Sequence, residues 1–131
     1  MPDLQILQPP GWLRPKGYSN GIAASGRLVF IGGQVGWNAS QEFDSDDLVH
    51  QTRQALLNTT AVLAEAGAGP ANVVRMTWYI TDKAAYLANA KQIGEVYREI
   101  MGSHYPAMAM LVVSELIENR AKVEIETTAV I

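Results

Sequence analysis

The segment 104–131, HYPAMAMLVVSELIENRAKVEIETTAVI, constrains the fold more than any other part of the chain. Residues 107–116 and 121–130 are dominated by β-branched and other apolar residues, and the polar break at Glu118, Asn119 and Arg120 is long enough to reverse the chain between two strands. In the second run Val123, Ile125, Thr127, Ala129 and Ile131 fall on one face and Glu124, Glu126 and Thr128 on the other, because successive side chains alternate across a sheet. The last strand therefore has one face built for a core and another that carries two carboxylates.

The upstream elements can be read against that strand. Residues 1–17 hold four of the six prolines and read as a surface arm, because proline cannot donate to a ladder; Trp12 and Leu13 are expected to tie the arm down. A hairpin is expected next, from residues 21–25 through a Gly26-Arg27 turn to residues 28–31, after which Gly32-Gly33-Gln34 ends or bulges the strand. A loop over 35–43 leads to a helix over 46–66, with Asp44 or Ser45 as N-cap and Gly67 just past its end. Leu48, Thr52, Ala55, Leu56, Thr59, Leu63 and Ala66 recur there at helical spacing and predict a buried stripe. Residues 73–81 alternate, setting Val74, Met76, Trp78 and Ile80 against Val73, Arg75, Thr77 and Tyr79 in a central or near-central strand. Asp82 caps a second helix over 83–101 whose apolar side is Leu87, Ala90, Ile93, Tyr97 and Ile100 or Met101, with Gly102 as its stop.

The order β-β-α-β-α-β-β predicts an α+β two-layer sandwich, one mixed sheet with both helices on a single face, and 131 residues suit a single domain over 1–131. The sheet face away from the helices is expected to be too apolar for water, given the Val, Met and Trp on several strands, so self-association is expected. With no cysteine, disulfides, thiolate metal sites and cysteine nucleophiles are excluded together. The net charge of −3, with ten Lys and Arg scattered singly, predicts no nucleic-acid partner. No apolar run approaches the roughly 18 residues that span a bilayer, and no basic-then-apolar leader occurs, so a cytoplasmic chain without a membrane partner is expected. His50, on the exposed side of the first helix, and His104 share no acidic residue at ligand spacing, so neither a metal nor another cofactor is expected. No Gly-x-Ser-x-Gly elbow and no phosphate-loop pattern occurs.

The closing pattern, Tyr105-Pro106-Ala107 followed by a strand, a turn and Val123-Glu124-Ile125-Glu126, resembles the end of the RidA/YjgF family of reactive-intermediate (enamine and imine) deaminases. The resemblance extends from about Tyr18 to Val130. It implies a chorismate-mutase-like fold, a homotrimer whose sheets line a central barrel, and a reaction in which water adds to the C=N carbon of a small metabolite. The family's functional glutamate maps to Glu124, with Glu126 a weaker candidate; both also fit ion pairs at a subunit rim. Gly33, with Gly32 where many relatives carry serine, would turn backbone N–H groups to the ligand, or be a strand bulge alone. Tyr18 matches a tyrosine of the family's cleft, or anchors a packed loop, and His104 is expected near the same cleft.

The family reads Pro-Ala-Arg where this chain has Pro106-Ala107-Met108, so the arginine that holds a substrate carboxylate is replaced by a side chain that forms no charge-assisted pair. Arg14 or Lys16 is the candidate substitute cation, or both are simply solvated. The function implied is a hydrolytic deaminase, a hydrolase acting on C=N bonds, with altered specificity or weakened activity. The alternative is a non-catalytic trimeric small-molecule-binding protein using the same intersubunit cleft, for which Met108 and Met110 supply adaptable apolar contacts. RNA cleavage, also attached to the family by name, fits the acidic balance least.

Overall fold

The computed structural model describes residues 4–131. In chain order the elements are β1 (Gln5–Leu7), β2 (Gly21–Ala23), β3 (Leu28–Val35), α1 (Leu48–Glu65), a 3₁₀ turn (Pro70–Asn72), β4 (Val73–Ile80), α2 (Lys83–Ala88), α3 (Ala90–Met101), β5 (Ala107–Val112) and β6 (Val123–Val130). Four strands form a mixed sheet in the order β3-β6-β4-β5, with β6 antiparallel to both its neighbours and β5 parallel to β4. α1 and α3 pack on each other, and α1 lies against β3 and β6, giving the expected α+β layering with the core on one sheet face.

The alternation of β6 is as the sequence predicts: Val123, Ile125, Thr127 and Ala129 are buried, whereas Glu126 is exposed and Glu124 half-buried. On α1 the predicted stripe is buried from Leu48 to Leu63, while Ala66 is only half-buried. The helix ends in a Schellman arrangement, Gly67 adopting φ +74° while its N–H donates to Ala64 O and that of Ala68 to Leu63 O.

Several expectations are corrected. The 21–31 hairpin does not form: β2 pairs with β1, and β3 is taken from its first residue by β6, where the Arg27 and Ile131 backbones exchange hydrogen bonds of 2.6 and 2.9 Å. An eight-residue partner offers β3 a longer ladder than the three residues of β2. Trp12 and Leu13 do not anchor the arm, being 62% and 93% exposed; the β1–β2 ladder and an Asn20–Gln8 side-chain hydrogen bond hold its described part, and residues 1–3 lie outside the described residues. The N-cap of α1 is Asp47, which accepts from His50 N–H, while Ser45 accepts from Asp47 N–H. A register shift between Val73 and Arg75 turns Val73, not Val74, toward Met76, Trp78 and Ile80 in the core.

The second helix is two. Asn89 closes α2 and opens α3, its side-chain amide donating to Ala85 O at 2.7 Å and so competing for a carbonyl that the continuing helix would use. Leu87 is consequently 61% exposed and Ala90 is exposed, and Val96 joins Ile93, Tyr97 and Met101 in the core. β5 stops at Val112 and β6 starts at Val123, both shorter than predicted.

The sheet face away from the helices also differs in kind. Met76 and Trp78 point to the helix side, and the register puts Arg75, Thr77, Tyr79, Glu124, Glu126 and Thr128 on the other, together with exposed Phe30. The open face is thus a polar ladder with an apolar margin rather than a broad apolar sheet.

Gln51 was not predicted as core, yet it is fully buried. Its amide donates to Ser45 O and Arg120 O, and its oxygen accepts from Lys122 N–H at 2.7 Å, so one side chain stitches α1 to the segment entering β6. Gln51→Ala removes a buried amide and its bonds to three part-buried backbone groups, and is expected to lower stability by about 2 kcal/mol, below the sum of the ~1–3 kcal/mol per unmade buried bond because water can reach part of these groups. Urea unfolding with an unchanged slope checks this.

Candidate functional site

The structure distributes the predicted site residues over two places. The first is on the open sheet face. β3 bulges between Ile31 and Gln34, and β6 runs beside the bulge with Glu124 opposite Val35. The Glu124 side chain lies directly over Gly33: a Cβ on that glycine would stand 2.7 Å from Oε2 and 2.8 Å from Cδ. A side chain at Gly33 would push the Glu124 carboxylate aside, whereas a Cβ on Gly32 meets nothing within 4 Å. Opposite Glu124 across the β4–β6 pair stands Tyr79, whose hydroxyl donates to Glu126 Oε1 at 2.8 Å. Accepting that bond, Glu126 holds the Tyr79 phenol above its ordinary pKa, with burial and the charges of Glu126 and Glu124 adding to the effect. A carboxylate half-buried beside glycine backbone and one tyrosine can hold and polarise a water or accept a proton.

The second place is on the helix side of the same sheet. Met108 pairs with Met76 and Met110 with Trp78, both partners lying in the core layer, so the two β5 methionines point toward α3. They line a cavity of ≈ 500 Å³ with Tyr18, Trp78, Tyr97 and Tyr105, and with Lys16 and Arg98 as its cations. Three rings form a continuous wall: Trp78 to Tyr97 is 6.4 Å between centroids, and Tyr97 stacks on Tyr105 at 5.3 Å. Burial pushes the Tyr97 phenol well above its ordinary pKa, and it donates to His104 O at 2.7 Å. Tyr18 is held at the mouth through Ser19, whose N–H donates to Pro106 O and whose hydroxyl donates to Tyr105 O.

Arg14 and His104 stand in neither place. They line an adjacent hollow with Trp12 and Ser19, sharing Tyr18 as a wall. The His104 ring places Nε2 2.6 Å from Val73 O, so that nitrogen is a donor engaged with the start of β4. Lys16 is the sequence-proposed cation that lines the same cavity as Met108. Arg98 was missed; the available signal was Gly94, four residues earlier on the same side of α3, which leaves that turn open. Among the described residues no three His, Asp or Glu side chains cluster as a metal site, and no helix is long and apolar enough to cross a membrane.

Comparison with known proteins agrees with this architecture. The family model described as Endoribonuclease L-PSP matches residues 13–131. The chain belongs to this family, the RidA/YjgF family. It is 30% identical over 128 residues to the human 2-iminobutanoate/2-iminopropanoate deaminase, covering 97% of this chain and 88% of that one. The crystal structure of YyfB, a Rid-family protein of unknown function from Yersinia pestis, superposes with a TM-score of 0.83 at 36% identity over 98% of both chains. Escherichia coli TdcF with bound serine gives 0.69 at 30% identity, over 97% of this chain and 98% of that one.

Two outcomes follow from the geometry. Gly33→Ala should push the Glu124 carboxylate aside at a cost of at most ~1 kcal/mol, because the group that moves is the end of a flexible half-exposed side chain rather than a packed core, and Gly32→Ala should stay within ~0.5 kcal/mol; denaturant melts of the pair check both. Glu126→Gln removes the carboxylate that favours the protonated phenol, so the Tyr79 titration should move to lower pH. Tyrosinate absorbance in the variant measures the shift, and an unmoved titration would separate the two residues.

Proposed function

We propose that this protein is a hydrolytic deaminase of small enamine or imine metabolites, with Glu124 as the group that activates water and the Gly33 backbone beside it as the partner for a developing charge. The observation that carries this reading is the carboxylate of Glu124 laid against Gly33, where a Cβ would stand 2.7 Å from Oε2 and push the carboxylate aside. The names of its relatives support the reaction class: the human relative is called an iminobutanoate and iminopropanoate deaminase, and TdcF a putative reactive intermediate deaminase.

In this reading water adds to the C=N carbon as Glu124 takes a proton from it. The proton is returned to nitrogen, and the C–N bond breaks to give a carbonyl compound and ammonia. The cleft that holds Met108 binds the body of the substrate, and Tyr18 closes its mouth. Because Met108 and Glu124 project from opposite faces of one sheet, the two halves of such a site are supplied by different copies of the chain, in a homotrimer. Exposed Phe30 and Leu28 on the open face support burial by another copy.

The alternative, a binding protein without turnover, is favoured by one observation: the Met108 cavity is walled by aromatic and thioether groups suited to holding a ligand. Ammonia release from freshly generated 2-aminoacrylate separates the two. Glu124→Gln, which keeps shape and removes the proton acceptor, should lower kcat about 100-fold or more with the oligomer intact by sedimentation. Undiminished turnover in that variant sinks the role given to Glu124, and absent release from the wild type favours the binding protein.

A further inference from the structure

The cavity around Met108 has an unusual balance of groups for a chain with net charge −3: it is lined by two cations, Lys16 and Arg98, and by no acidic residue. Neither cation is committed elsewhere. The ion pairs among the described residues are Arg53–Glu99 and Arg120–Asp46. Arg98 lies along α3 against Gly94, where a Cβ would stand 3.6 Å from Nη1, so the missing side chain at residue 94 leaves the guanidinium against the cavity wall.

We propose that this cavity binds a carboxylate whose body is an aromatic ring or a long apolar chain, with Arg98 and Lys16 holding the carboxylate and the ring wall holding the body. The proposal rests on the deaminase reading only in naming the substrate class of that cleft, a 2-imino acid with a bulky side chain. Three observations converge on it. The volume of ≈ 500 Å³ is far more than an acid of three or four carbons fills and lies in the range of pockets that enclose larger organic ligands. The ring wall is fixed, because the Tyr97 hydroxyl is tied to His104 O and its ring is stacked on Tyr105; Trp78 and Tyr97 are themselves buried and back the wall, so the half-buried Tyr105 and Tyr86 and exposed Tyr18 carry the ring surface that a planar body meets. Within one copy the lining offers an anion two donors and no carboxylate, and it offers a cationic amine ring faces but no counter-charge. Arg98 is the stronger of the two donors, since a guanidinium meets a carboxylate with two parallel N–H bonds and an ammonium acts as a point charge. Met108 and Met110 adapt the strand side of the cavity to the shape of the body.

Calorimetry with three probes dissects the proposal: 4-phenyl-2-oxobutanoate carries ring and acid, 2-oxobutanoate the acid without the ring, and 4-phenylbutan-2-one the ring without the acid. The first should bind at least ~10-fold more tightly than either of the others. Arg98→Gln should weaken the first probe at least ~10-fold and leave the ketone within about twofold, and Arg98→Lys should fall between wild type and Arg98→Gln. Arg98 is exposed and has no side-chain partner among the described residues, so these variants should fold, which sedimentation and a thermal melt verify. Equal affinity for the keto acid and the ketone, or no change with Arg98→Gln in a folded protein, overturns the proposal. Binding of these carbonyl compounds requires no turnover. A protein that shows the predicted order but releases no ammonia therefore supports the carboxylate clamp while removing the hydrolase, and ammonia release without dependence of binding on Arg98 overturns the clamp while leaving the hydrolase in place.

Discussion

The insertion of β6 between β3 and β4 is the constraint on which the rest of the structure depends. The strand is formed by the last residues of the sequence, yet it occupies an interior place in the sheet, with neighbours that arrive from residues 28–35 and 73–80. Its backbone makes ladders on both edges, and its inward side chains, Val123, Ile125, Thr127 and Ala129, are almost wholly buried under α1 and α3. Nearly all of the sheet's cohesion is therefore long-range, and an antiparallel strand that closes last in the chain makes the fold one of high contact order. The Gln51 network belongs to the same constraint: by binding Lys122 N–H and Arg120 O, it fixes where the chain turns into β6 and hence which side chains of that strand face in.

Register decides chemistry as well as packing. A slip of one residue in β6 would send Glu124 into the core and bring Ile125 to the open face, and the carboxylate would lose its place over Gly33. The bulge in β3 matters for the same reason. It brings an unsubstituted backbone under the carboxylate, at the point where regular pairing would set a side chain. Tyr79 and Glu126 add a polar pair next to it, so the face that a two-layer fold leaves uncovered is a ladder of hydrogen-bonding groups bordered by Phe30 and Leu28. Such a face is compatible with water, and what asks for a partner is its apolar margin.

The sequence made some features legible and hid others for identifiable reasons. The β6 alternation and the α1 stripe were readable because strong period-two and helical patterns reflect burial directly. The β2–β3 hairpin was misread because Gly26-Arg27 has the chemistry of a tight turn, and turn chemistry says nothing about a better long-range partner for β3. The break at Asn89 was hidden because asparagine is tolerated inside helices, and only its bond to Ala85 O shows that it serves as a terminus here. Val73 and Val74 exchanged faces at a bulge that carries no glycine to announce it. Gly33 and Glu124 were expected as site residues from family resemblance, and the structure shows that the Glu124 carboxylate lies over Gly33. Arg98 was not legible, because a charged residue on an exposed helical position looks like solvated surface until the fold brings Met108 and Tyr105 opposite to it.

The position of the cation bears on what the cleft can accept. The strand side carries Met108, a flexible apolar group, and the available guanidinium comes from α3 across the cavity. With the guanidinium on α3 and Met108 on β5, a ligand that meets both must extend from the helix to the strand. A ligand held in that way would lie along Tyr105 and the rings behind it, Tyr97 and Trp78.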